Sequence, residues 1–277
     1  MKKVLGVLLT LVLCLGLTAC GEADNSGQGS TEVSGNVSLS GSTSMEKFVN
    51  AIKEAIVEDY PNLVLEPQFT GSSAGLEAVL AGTADIGNSS RGLKDDEKSK
   101  GLEENIVAID GIAIITHKSN KVDNLTTDQL KKIYTGEITN WSEVGGDNQA
   151  IVVMGREAGS GTRGAFEEIL EIEDACKYAQ ELNETGAVVA KVGETEGAIG
   201  YISLDNITKT VKALKLDDVE ANEETVKDGS YTLQRPFVMA TKGKISEQSK
   251  EVKAIFEFIE SEKGQEVLKA VGLVSPK

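Results

Sequence analysis

Residues 37–57 read VSLSGSTSMEKFVNAIKEAIV, and this stretch decides the fold. Val37 to Ser40 alternates apolar and polar residues, as a short strand does. After it, Met45, Phe48, Val49, Ile52, Ile56 and Val57 recur at helical spacing as far as Tyr60-Pro61. Between strand and helix lies Gly41-Ser42-Thr43-Ser44, a loop of glycine and hydroxyls. A strand running through so short a loop into a helix is the repeating step of an α/β fold.

The step recurs along the chain. Leu63 to Phe69 reads as a second strand, and Leu76 to Leu80 opens a second helix. Asp85-Ile86-Gly87 is strand-like, and the charged run from Lys94 to Glu104 reads as a solvated face. Val107 to Thr116 (VAIDGIAIIT) is nearly all apolar, as a strand buried on both faces must be. Thr126 to Tyr134 predicts a helix, Ile151 to Met154 a strand, and Arg163 to Leu170 a helix. Ala198 to Ile202 and Phe237 to Ala240 follow as strands, and an amphipathic helix near Ser249 to Ile259 ends the chain. The expectation is an α/β fold with mainly parallel sheets.

The first residues set the location. Lys2 and Lys3 precede the apolar run Val4 to Leu17, which leads to Leu17-Thr18-Ala19-Cys20. That is a charged start, a short apolar core and a small-residue cleavage site, too short to span a bilayer. A cysteine at the cut resembles the lipobox of bacterial lipoproteins, so residues 1–19 are read as a signal peptide and Cys20 as a lipidated N-terminus. The alternative is a secretory signal with an incidental cysteine. Residues 20–35, rich in Gly, Ser and acids, read as a flexible tether. Localisation at the cell membrane follows, on its extracytoplasmic face, held by a lipid anchor alone.

The whole chain carries a net charge of −16. Removing residues 1–19 takes two of the 28 basic residues and none of the 44 acidic ones, which leaves −18. Such an excess argues against nucleic acid and anionic membrane surfaces, both of which demand a basic face. Once Cys14 leaves with the signal and Cys20 takes lipid, Cys176 has no disulfide partner and reads as a small buried residue.

The chemistry gathers in three loops of one design: Gly41-Ser42-Thr43-Ser44, Gly71-Ser72-Ser73-Ala74-Gly75 and Gly159-Ser160-Gly161-Thr162. Each follows a strand and precedes a helix. There the free backbone N–H groups and the positive end of the helix dipole make an anion site. Singly, each loop is explained by helix capping. Three at the carboxyl ends of strands lie where open α/β sheets bind ligands. Arg156 precedes the third loop and can reach the same anion with a planar fork of donors. Asp85 either accepts the proton of a P–OH group, which phosphate has and sulfate lacks, or caps a turn or pairs with Arg91 or Arg156.

These segments, with Asp85-Ile86-Gly87-Asn88-Ser89-Ser90-Arg91 and Arg156 to Thr162, closely resemble the ligand-contacting segments of the phosphate-binding receptors of ABC importers. The likeness continues through Ile133 to Trp141, Gly197 to Tyr201 and Arg235-Pro236-Phe237. It implies two doubly wound α/β domains joined by a hinge, with the ligand in the cleft between them, as in type II periplasmic binding proteins. The first would be residues 36–112 plus 238–277, and the second 113–237. By the same likeness Thr43, Ser44, Ser72, Asp85, Arg156, Ser160, Gly161 and Thr162 are phosphate contacts, with Ser42, Ser73, Ser90 and Arg91 as further candidates. Arg163 is expected on the surface or in a salt bridge. The implied partners are inorganic phosphate and the membrane permease and ATPase of an importer, with the receptor a monomer that needs no cofactor or metal.

Two other readings stand beside this one. The ligand could be another oxyanion, such as sulfate or molybdate. Gly71-Ser72-Ser73-Ala74-Gly75 also matches the G-x-S-x-G pattern of serine hydrolases, with Ser73 as nucleophile. Against that, His117 is the only histidine, and it follows a long apolar strand far along the chain.

Overall fold

A computed structural model describes residues 33–276. The signal peptide, Cys20 and most of the tether lie outside the described residues. The tether reading runs slightly too far, because the first strand already begins at Ser34.

In chain order the elements are β1 (Ser34–Gly41), α1 (Glu46–Ala55), β2 (Asn62–Gln68), α2 (Ser72–Leu80), β3 (Ile86–Ser89), α3 (Asp95–Ser99) and β4 (Leu102–Glu103). Then come β5 (Ile106–His117), β6 (Asn124–Leu125), α4 (Thr127–Thr135), β7 (Val152–Arg156), α5 (Gly161–Ile169), β8 (Gln180–Leu182) and α6 (Thr185–Glu194). The rest are β9 (Ala198–Ser203), β10 (Val211–Ala213), β11 (Lys215–Leu216), α7 (Glu223–Lys227), β12 (Gln234–Lys242), α8 (Lys250–Glu260) and α9 (Glu262–Ala270). A turn of 3₁₀ helix over Thr43–Met45 leads into α1, and another over Ile56–Glu58 follows it.

Local sequence explains the first unit. Phe48, Val49 and Ile52 of α1 are buried, with Met45 and Ile56 beside them, while Glu46 and Lys53 complement the helix dipole at its two ends. Val57 belongs to the predicted apolar stripe but is 49% exposed, because the tighter 3₁₀ turn rotates it away from the core.

The sheet is mixed rather than mainly parallel. Its main path runs β2-β1-β3-β12-β5-β9-β7-β8. β1 pairs in parallel with β2 and β3, and β7 in parallel with β8 and β9. In the middle, β12 runs antiparallel to β3 and β5, and β5 antiparallel to β9. The α/β alternation therefore holds at both ends, and two long strands running in opposite directions connect them.

The core divides along those two strands. One set of buried side chains comes from Val37–Ala108 and Phe237–Leu273. The other comes from Ile112–Leu233. The changeovers, between Ala108 and Ile112 in β5 and between Leu233 and Phe237 in β12, lie where these strands pair. Arg235 and Asp110 face each other in that register and form a buried ion pair at 2.8 Å.

Candidate functional site

Strand register builds the site. Gly41 of β1 lies opposite Asn88 of β3, so Ser42 and Ser90 leave the sheet side by side, their Oγ atoms 2.8 Å apart. Ser72, the first residue of α2, enters from the next loop, with its Oγ 3.4 Å from that of Ser90 and accepting from the Ser90 N–H at 3.2 Å. From the other half of the sheet, Thr162 in the first turn of α5 places its Oγ1 2.7 Å from Ser44 Oγ and 3.5 Å from Ser90 Oγ. Ser42, Thr43, Ser44, Ser72, Ser90 and Thr162 are all buried.

Arg156 ends β7 and points into this cluster at 2% exposure. Its Nη2 donates to Thr43 Oγ1 at 3.0 Å and to the Asn183 carbonyl at 2.9 Å, and its Nε to the Leu182 carbonyl at 3.1 Å. Its Nη1 donates to Thr185 Oγ1 at 3.1 Å. Among the described residues no carboxylate lies within ion-pair distance of it. Burial pushes its pKa down to about 10; Arg235 adds to this, while Glu157 and Glu184 oppose it. The guanidinium therefore stays charged at neutral pH in a dry site, where an unpaired charge is costly. The arrangement calls for an anion.

A closed ring of side chains holds the Arg156 backbone. Its N–H donates to Tyr201 Oη at 3.2 Å, Tyr201 Oη lies 3.2 Å from Tyr178 Oη, and Tyr178 donates to Glu167 Oε1 at 2.8 Å. Arg163 Nε donates to the same Glu167 oxygen at 2.8 Å, and its Nη1 donates back to the Arg156 carbonyl at 3.0 Å. Arg163 is thus the salt-bridge residue expected of it. It also ties Arg156 in place.

The structure brings together most of the predicted residues. Ser160 caps α5, its Oγ accepting from the Arg163 N–H at 3.3 Å, and leaves Gly161 and Thr162 at the helix start. Ser73 is half-buried, and its N–H donates to the Gly159 carbonyl at 3.1 Å. Arg91 is turned away, forming a two-point pair with Glu97 at 2.9 and 2.7 Å.

Asp85 is a correction. It stands exposed before β3, where Oδ2 accepts from Ser38 N at 2.7 Å and from Ser38 Oγ at 2.6 Å. The ligand edge is the carboxyl end of β3, five residues further on and about 16 Å away at strand rise. Asp85 closes a turn at the opposite end, and Ser90 holds the place in the cluster.

Thr185 is the functional residue that the sequence did not announce. It opens α6, lies 3.0 Å from Ser44 Oγ and 3.1 Å from Thr43 Oγ1, and takes the hydrogen bond from Arg156. Its segment, Asn183-Glu184-Thr185-Gly186, lacks the glycine–hydroxyl repetition of the other loops. The one available signal was a Thr-Gly start before the apolar Val188, Val189 and Val192. Cys176 is half-buried, and burial first of all pushes its thiol up to about 11.

Known proteins match this chain over nearly all its length. The family model described as a PBP superfamily domain matches residues 26–263. The phosphate-binding protein PstS of Bacillus subtilis is 31% identical over 98% of this chain and 91% of its own. A crystal structure from Clostridium perfringens, of a substrate-binding protein assigned to a phosphate ABC transporter and holding bound phosphate, superposes with a TM-score of 0.84. It is 42% identical and covers 88% of this chain and 100% of that one. An ABC-type phosphate transport receptor from Vibrio cholerae gives a TM-score of 0.73 at 31% identity, over 87% of this chain and 100% of its own.

Proposed function

The chain belongs to the PBP superfamily and, within it, to the phosphate-binding receptors of ABC importers, and from that premise we propose that it binds inorganic phosphate outside the cytoplasm and delivers it to such an importer. The observation that carries this reading is Arg156, a buried cation with no carboxylate partner among the described residues, set among hydroxyls and helix N-termini. Thr43, Ser44, Ser72, Ser90, Arg156, Thr162 and Thr185 form the binding set, with Ser42, Ser160 and Gly161 shaping it. The two separate cores support a receptor of two lobes closing on the ligand, with β5 and β12 as the crossing strands.

The receptor acts without catalysis. The lone histidine, His117, is engaged elsewhere than with Ser73: its Nδ1 lies 2.7 Å from Ser119 Oγ, and it is half-buried at the end of β5. Among the described residues no helix is long and apolar enough to cross a membrane. Attachment as a monomer through lipid on Cys20 accords with the N-terminal sequence. Equilibrium dialysis of the chain against labelled phosphate tests the reading. Saturable binding at one site per chain is expected, and no retention would overturn it.

A further inference from the structure

The centre of the hydroxyl cluster is held by a neutral group. Ser90 Oγ lies centrally, 2.8 Å from Ser42, 3.4 Å from Ser72 and 3.5 Å from Thr162, and Arg235 Nη1 fixes its carbonyl at 3.1 Å. Among the described residues, every hydrogen bond of the clustered hydroxyls runs to another hydroxyl, a backbone N–H or Arg156. None reaches a carboxylate. Resting on the receptor reading above, we propose that this site selects doubly charged tetrahedral oxyanions as a class, and that Ser90 leaves phosphate and sulfate poorly separated.

The reasoning is chemical. An ionised acceptor rewards a P–OH group and repels a bare oxygen, so it would separate protonated phosphate from sulfate. A serine hydroxyl rotates. It accepts from a P–OH in one orientation and donates to an unprotonated oxygen in the other. The other side-chain hydroxyls in the cluster are of the same ambivalent kind, whereas Arg156 and the backbone N–H groups only donate. The remaining field is positive: one guanidinium, and the N-termini of α2, α5 and α6 at about half a charge each. A field of that sign holds a dianion more tightly than a monoanion.

The other charged groups nearby do not alter this. Glu157 and Glu184 act on Arg156 from outside hydrogen-bond reach, Arg235 is paired with Asp110 behind Ser90, and Arg91 is paired with Glu97. No carboxylate among them hydrogen-bonds to the clustered hydroxyls, and Glu157 Oε1 stands beside Gly71 and Gly159 of two site loops.

Calorimetry of the full chain with inorganic phosphate and with sulfate, on either side of the second ionisation of phosphate, tests the proposal. Sites that read a ligand hydroxyl reject analogues lacking it by on the order of 10⁴–10⁵. Here the phosphate-to-sulfate ratio should stay below about 10³ where phosphate is a dianion, and phosphate affinity should rise with pH. Ser90→Asp should reverse both features, with sulfate affinity falling at least tenfold and phosphate binding favoured at the lower pH. A wild-type ratio above that limit, or phosphate affinity that falls as pH rises, would overturn the inference while leaving the receptor intact. Absence of phosphate binding altogether would instead overturn the receptor reading.

Discussion

Asp205 follows β9, nearly buried, and its carboxyl is pushed up to about 7, first by burial and then by the neighbouring Asp110. Its Oδ1 accepts from Ser203 Oγ at 2.5 Å and Asn206 Nδ2 at 2.6 Å, while Oδ2 has no partner among the described residues. The sign of its effect follows from linkage. Above about pH 7 both folded and unfolded chains carry the charge, so the full cost of burying it is present. Between that point and the ordinary value of 3.8 only the folded chain holds the proton, so stability from this group grows as pH falls. Asp205→Asn should therefore melt above the wild type at alkaline pH, with the gap closing as pH falls towards 4. A gap that does not change with pH would show that Asp205 carries no such cost. At this scale the sequence was legible for the hydroxyls and for Arg156, because three glycine–hydroxyl loops at strand ends go beyond what helix capping alone requires. Asp85 misled because a short strand has two ends. The rule placing ligands at carboxyl ends excludes it and selects Ser90, whose neutral side chain gave no sign of a central role.

The site is made where helix starts from the two halves of the sheet meet, and glycine permits the approach. A Cβ on Gly161 would stand 2.4 Å from Ser72 Oγ and 2.9 Å from Ser72 Cβ, across the contact between α5 and α2. Gly161→Ala should force these helices apart. Overpacking costs about 1–3 kcal/mol, so phosphate affinity should fall roughly tenfold, with only a small drop in melting temperature. Gly75→Ala differs, because its Cβ would meet the Ser40 carbonyl at 2.3 Å, inside the packing of α2 on β1. That variant should lose melting temperature first. Unchanged affinity in Gly161→Ala would mean that the two helices have room to spare. Helix starts were the hardest boundaries to read. α2 begins at Ser72 and α5 at Gly161, ahead of the apolar periodicity, because their first turns consist of glycine and hydroxyls facing the site. α6 and α9 went unread. α9 follows α8 after the single residue Ser261, whose Oγ caps it, and no glycine or proline separates them.

Across the whole molecule, two parallel α/β segments are joined through antiparallel β5 and β12, with the Asp110–Arg235 pair buried at the crossing. Repeating strand–helix units reveal the segments from sequence, but not the antiparallel middle, which depends on pairing between residues over a hundred positions apart, as Asp110 and Arg235 are. A net charge of −16 repels anions at a distance, yet salt screens that repulsion beyond about 10 Å. Capture then rests on short-range groups in the buried cluster, and among those only Arg156 carries a formal charge. Calorimetric titration of phosphate into wild type, Arg156→Ala and Arg91→Ala tests this most directly. Truncating one side of a desolvated, hydrogen-bonded charge pair costs about 2–5 kcal/mol, so Arg156→Ala should lose roughly 30-fold or more in affinity. Arg91→Ala, whose partner is Glu97, should stay within about threefold of wild type. Equal losses in the two variants, or wild-type affinity in Arg156→Ala, would contradict the account.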